Sequence, residues 1–142
     1  MRGALGSIVF AALIGLVGLT ANPRTATAKE GVVARVLTPI PRDAQPGTKL
    51  TVVWTLSFVD KGKRLRFGGG DVFIRLFAAD GSRSRRVFAE PVDLGRYRAR
   101  AGVPRGGVNR IAIGLMGIVC DGEQSGCRPS PKLFPIVGDP FR

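Results

Sequence analysis

Histidine is missing from all 142 residues. That absence excludes imidazole acid/base catalysis, Ser-His and Cys-His nucleophiles, and every imidazole-ligated metal site. Acidic side chains are scarce, ten against twenty-two Lys and Arg, for a formal net charge of +12. So basic a surface bears on solubility and on partners rather than on fold. Cysteine occurs only twice, tryptophan and tyrosine once each. The chain shows no internal repeat, low-complexity tract or second domain, and its length suits a single domain.

What is present begins with a distinct N-terminal stretch. Met1-Arg2-Gly3 is followed by an apolar run from Ala4 to Leu19, a polar stretch from Thr20 to Thr25, and Ala26-Thr27-Ala28 ahead of Lys29. A positive start, an apolar middle and a small-x-small site make up a secretory signal peptide. The expectation is residues 1–28 as signal peptide, cleaved after Ala28, and residues 29–142 as the exported domain. The rival is an uncleaved anchor over residues 4–21, since about 18 apolar residues just suffice to cross a bilayer. Gly6, Gly15 and Gly18 weaken such a helix. No cysteine adjoins the cleavage site and no twin-arginine pair precedes it.

Export changes the reading of Cys120 and Cys127. They flank Asp121-Gly122-Glu123-Gln124-Ser125-Gly126, a turn-forming segment. In an oxidising compartment an even pair at short spacing is expected to be a disulfide. The chain-entropy estimate for so small a loop is about 2.5 kcal/mol. A redox or metal-binding thiol pair would need C-x-x-C spacing or further ligands.

The rest of the chain alternates with period two. Leu50, Val52, Trp54, Leu56 and Phe58 form one apolar row; Val72, Ile74, Leu76 and Ala78 form another. Tyr97, Ala99 and Ala101 alternate with Arg96, Arg98 and Arg100, and Ile111, Ile113 and Leu115 lead into Cys120. Shorter candidates are Gly31 to Leu37, Arg86 to Glu90 and Phe134 to Val137. Gly/Pro/Asp punctuation separates them, so about seven antiparallel strands in an all-β sandwich are expected. Trp54 is expected in the core, whereas Phe73 and Phe77 share the opposite face of their strand with Arg75, and that face is left open between exposure and cover by another layer.

Gly95-Arg96-Tyr97-Arg98-Ala99, then Val103-Pro104, Gly107 and Ile111-Ala112-Ile113 resemble the closing hairpin of exported immunoglobulin-like modules of the YtkA-like and FixH-like bacterial families. The copper-resistance sandwich proteins look similar. The resemblance implies an immunoglobulin-like β-sandwich. Copper-handling members are expected to use His and Met ligands; this chain has no histidine, and Met116 is its sole methionine after residue 28. No metal position carries over.

Catalysis finds no motif. The carboxylates lie mostly beside glycine or proline, where Asp stabilises turns. No G-x-S-x-G elbow occurs, and Gly68-Gly69-Gly70-Asp71 lacks the Gly-Lys-Ser/Thr of a phosphate loop. Asp121, Glu123 and their loop match no calcium-loop pattern. No catalytic, cofactor or metal residue is therefore expected.

The basic residues are the anomaly. They fall into Lys61, Lys63, Arg64 and Arg66; Arg83, Arg85 and Arg86; and Arg96, Arg98 and Arg100. Residues two apart on a strand project to one side, so the last three form a row about 13 Å long. One reading is a solvated face. The other is an anionic partner outside the cytoplasm (lipid headgroups, a wall polymer or an acidic envelope protein), engaged by Arg96, Arg98, Arg100, Lys63, Arg64 and Arg66. Nucleic acid is not expected, because export separates the chain from it and few aromatics interleave the arginines. The function expected is a non-enzymatic binding or accessory module of the cell envelope. The alternatives are a metal- or redox-linked envelope accessory protein and, behind it, a small extracytoplasmic enzyme.

Overall fold

The computed structural model describes residues 31–120 and 126–142. The expected signal peptide and most of the loop between the cysteines lie outside the described residues. Nine strands are present: β1 (Val33–Val36), β2 (Lys49–Asp60), β3 (Lys63–Arg66), β4 (Val72–Phe77), β5 (Val87–Phe88), β6 (Glu90–Asp93), β7 (Arg96–Gly102), β8 (Arg110–Cys120) and β9 (Cys127–Leu133). No helix occurs among the described residues, so none there is long and apolar enough to cross a membrane. The fold is all-β.

Two antiparallel sheets result. One has the order β1-β2-β7-β6, with β3 also pairing β2; the other has the order β5-β4-β8-β9. Period-two alternation decides which side chains meet. Val52, Trp54 and Leu56 of β2 and Tyr97, Ala99 and Ala101 of β7 are buried on one face of the five-stranded sheet. They share one core with Val72, Ile74 and Leu76 of β4 and Ile111 and Ile113 of β8. Trp54 is opposite Tyr97 in register, and their rings stack with centroids 6.1 Å apart.

Tyr97 also fixes the triple glycine. Its hydroxyl accepts the Gly69 N–H at 2.7 Å and donates to the Gly69 carbonyl at 3.1 Å. The glycine segment that leads into β4 is thereby tied to β7. Gly95 has its own reason to be glycine. Its φ is +65°, and a Cβ there would lie 2.9 Å from the Leu56 carbonyl oxygen.

Three expectations are corrected. Lys63, Arg64 and Arg66, read only as a basic cluster, lie on a strand, β3, which closes a hairpin through Lys61 and Gly62 at φ 48° and 76°. Two consecutive positive φ values give the twist that a two-residue hairpin needs. Arg86 to Glu90 is not one strand, because the chain leaves the four-stranded sheet after Phe88 and joins the five-stranded sheet at Glu90. Phe134 to Val137 forms only a parallel bridge, Ile136 to Ala34.

The remaining addition is β9. The Phe134 N–H donates to the Ile113 carbonyl at 2.8 Å. Antiparallel pairs alternate between bonded and non-bonded, so the register places Met116–Pro131, Ile118–Pro129 and Cys120–Cys127 at non-bonded positions. Proline is tolerated there because no ladder donor is lost. At such positions Cα atoms approach to about 4.5 Å, within the roughly 4.4–6.8 Å that a disulfide spans. The Cys120 side chain itself lies outside the described residues.

Candidate anion-binding face

The β7 pattern puts Arg96, Arg98 and Arg100 on exposed positions between buried Tyr97, Ala99 and Ala101. Residues directly opposite on antiparallel strands share a face. Register sets Arg96 opposite Thr55, Arg98 opposite Val53 and Arg100 opposite Thr51. On the other side of β2, Arg35 is also opposite Thr55, and further along β2 itself, past the residues that pair β7, β3 sets Arg66 opposite Ser57 and Arg64 opposite Val59. Six arginines from three strands, β1, β3 and β7, thus share the outer face of the five-stranded sheet, with short hydroxyl side chains of β2 between them.

Two of the six sequence-singled groups behave differently from the simple row. Lys63 is opposite Asp60 at the hairpin end, so it projects to the other side of β3 from Arg64 and Arg66. Arg98 is not free of acid: β6 brings Glu90 opposite it, and the two form a 3.0 Å ion pair. No carboxylate within β7 foretold this. Asp93, also on β6, bonds Arg66 at 2.7 Å and is opposite Arg96. The Leu94 N–H, first, and the Arg66 guanidinium, second, hold the Asp93 carboxyl below its ordinary value. Six arginines and the exposed Lys49 of β2 thus stand against two carboxylates on this face.

An open groove of about 460 Å³ runs along the row, lined by Thr51, Val87, Phe88, Glu90, Arg98, Ala99 and Arg100. Its one carboxylate is Glu90, already committed to Arg98. The groove offers guanidinium donors, a hydroxyl and one aromatic wall: chemistry for holding an anion rather than for moving a proton between two acids. Among the described residues no three of His, Cys, Asp and Glu converge as metal ligands.

No protein-family model, curated protein or solved structure matches this chain. Function therefore has to be argued from the faces themselves.

The opposite sheet carries Arg86 of the second basic group, Arg75 on the face shared with Phe73 and Phe77, and Arg110, which the sequence did not single out. Arg75 projects from β4 beside Phe73 and Phe77, Arg86 lies with its Cζ 4.7 Å over the Phe73 ring, and Arg110 has its Cζ 3.8 Å over Phe77. Phe73 is only 2% exposed although it points away from the shared core. Gly114 makes this possible, since a Cβ there would strike the Phe73 ring and the Lys132 carbonyl. The available signal was the composition of β4, apolar or aromatic on both faces, which marks a strand covered on both sides.

Proposed function

We propose that the chain is an exported, non-enzymatic immunoglobulin-like β-sandwich that serves as a binding or accessory module of the cell envelope. On this reading it engages an anionic surface through the outer face of the five-stranded sheet. Two antiparallel sheets sharing one core support the sandwich. The N-terminal stretch supports export, and the non-bonded register of Cys120 and Cys127 supports their disulfide. One observation carries the function: Arg96, Arg98 and Arg100 are exposed in a row that Arg35, Arg64 and Arg66 extend, with two carboxylates set against six arginines.

Each arginine near an acidic lipid surface contributes about 1 kcal/mol. Replacing Arg96, Arg98 and Arg100 together with glutamine should weaken binding to phosphatidylserine-containing vesicles by roughly a hundredfold, with the fold intact. Binding of the unaltered chain should fade as salt shortens the Debye length from about 10 Å at 0.1 M to about 3 Å at 1 M. The comparison variant replaces Lys63, Arg64 and Arg66. Arg64 and Arg66 share the face and Lys63 does not, so this change should cost less than the β7 replacement. An equal loss from replacing Arg105 and Arg110, which lie off the face, would reduce it to net charge alone, and no vesicle binding at low salt would remove the proposal. Stoichiometric metal in the purified chain would instead bring forward the metal-linked alternative.

A further inference from the structure

The proposed function leaves the arginines of the four-stranded sheet unused, and they are arranged differently. Arg75 rises from the middle of β4. Arg83 lies alongside, in the segment that bridges back to Phe77, and Arg86 follows just before β5. None of the three forms an ion pair among the described residues. The pairs found there are Arg42–Asp139, Arg66–Asp93 and Arg98–Glu90.

The nitrogens themselves are under-used. The Nε atoms of Arg75 and Arg86 are both buried with no hydrogen-bond partner. The Arg86 Nη1 makes its one polar contact with the Met116 sulfur at 3.0 Å, and a thioether is a weak acceptor. Burial first, then the charges of Arg83 and Arg86, lower the Arg75 pKa from its ordinary value. Arg75 and Arg86, partly withdrawn from water, and the exposed Arg83, whose charge adds to that of Arg86 on Arg75, stand without a carboxylate and so disfavour the native state. Stacking of Arg86 on Phe73 offsets only about 0.5–1 kcal/mol of that. An arrangement that is unfavourable alone and becomes favourable with a bound anion is characteristic of a binding site.

We propose that Arg75, Arg83 and Arg86 bind a phosphate- or sulfate-type oxyanion on the outer face of the four-stranded sheet. Guanidinium groups present fixed forks of N–H donors, and several forks converging on one point suit an anion with oxygens in more than one direction. An apolar row adjoins them. Phe88, Phe73, Gly114 and Leu133 stand opposite one another across β5, β4, β8 and β9. Phe88 and Leu133 are 54% and 50% exposed, enough to hold an apolar group attached to the anion. The oxyanion is thus either a free ion or the head of an amphiphile. Phe88 also lines the groove beside Arg98 and Arg100, but the oxyanion donors are Arg75, Arg83 and Arg86 alone, so either proposal can fail without the other.

The test is calorimetric titration of the full chain with inorganic phosphate and with dodecyl phosphate below its micelle concentration. Saturable one-to-one binding is expected, and Arg75→Gln with Arg86→Gln should weaken it by at least about tenfold, each charged hydrogen bond lost being worth about that much. Tighter binding of dodecyl phosphate identifies an amphiphile head, and equal binding identifies a free ion; both support the oxyanion site. Arg83 is exposed, so Arg83→Gln keeps the fold and should by itself weaken binding severalfold. Replacement of Arg96, Arg98 and Arg100 should leave these affinities unchanged. No saturable binding to either probe, or an equal loss from the β7 replacements, overturns the proposal.

Discussion

The outer faces of the two sheets are both basic, yet their arginines stand in opposite circumstances. On the five-stranded sheet they extend into water between threonines, and Glu90 and Asp93 answer two of them. On the four-stranded sheet Arg86 and Arg110 lie down over phenylalanine rings, and no carboxylate answers Arg75, Arg83 or Arg86 among the described residues. The first arrangement permits rearrangement around any anionic surface. The second holds Arg86 and Arg110 in place, because each of these two guanidiniums lies on a phenylalanine ring of β4. Equal charge therefore does not mean equal selectivity; the support beneath the charge decides it.

The sharpest separation should come from removing that support. Phe73→Ala deletes a ring that is almost fully buried and carries Arg86 and Phe88. It should lower unfolding stability by about 3–5 kcal/mol. Thr55→Ala, at an outer position of the other sheet, should stay within about 0.5 kcal/mol. Denaturant titration of both variants checks the contrast, and similar losses would break it.

A second difference lies in the hairpin of β8 and β9. Reduction of the expected Cys120–Cys127 bridge should cost about 2.5 kcal/mol, less than the roughly 5–15 kcal/mol stability of an ordinary domain. Hydrogen exchange should then quicken in β8 and β9 and stay slow in β2 and β7. Uptake of two equivalents of thiol reagent by the native, unreduced chain would show that the bridge does not exist.

Smaller effects belong to the exposed ion pairs. Glu90→Gln should change stability by less than about 1 kcal/mol. It releases Arg98, so affinity for phosphatidylserine vesicles should rise about fivefold, the equivalent of one charge near the surface. A fall in affinity would mean that Glu90 positions Arg98 instead of restraining it. Least of all is the pH effect of Asp93, whose carboxyl is held low by the Leu94 N–H and by Arg66. A carboxyl lowered on folding stabilises the native state above its unfolded value near about 3.9, and that contribution is lost as the pH falls through the folded value. The thermal midpoints of the native chain and Asp93→Asn should differ at neutral pH and converge in acid; a constant gap would assign the difference to shape alone.

How far these features were legible depends on whether one strand sufficed to show them. The Trp54 row and the β7 alternation each repeat within a single segment, and the structure keeps both. β3 gave no such signal, because Lys63, Arg64, Leu65 and Arg66 are all exposed and have no buried alternate. β9 carries Pro129 and Pro131, which argue against a strand until its position at a sheet edge is known. The Glu90–Arg98 pair and the Arg75, Arg83 and Arg86 group need partners brought from separate segments, so spacing had no access to them. The immunoglobulin-like resemblance bore on the turn at Gly95 and the ring at Tyr97, and both have physical reasons here that stand without it.

The strand borders have a consequence for crowded solutions. Pro91 of β6, like Pro129 and Pro131 of β9, occupies a position whose missing N–H would have pointed away from the sheet. The C-terminal segment covers the free side of β1 through the Pro135 carbonyl and the Val137 N–H, and β5 is only two residues long. β3 ends its side of β2 with Lys63, Arg64 and Arg66, charges that repel an incoming strand. Among the described residues every border is thus blocked, covered, short or charged, and a neighbouring copy finds no long template on which to add. Cross-β stacking, the hazard of any small all-β chain, is suppressed by the backbone itself. At β1, β6 and β9 this protection rests on proline and on covering backbone and so persists when an anion neutralises the surface charge, whereas at β3 it depends on that charge.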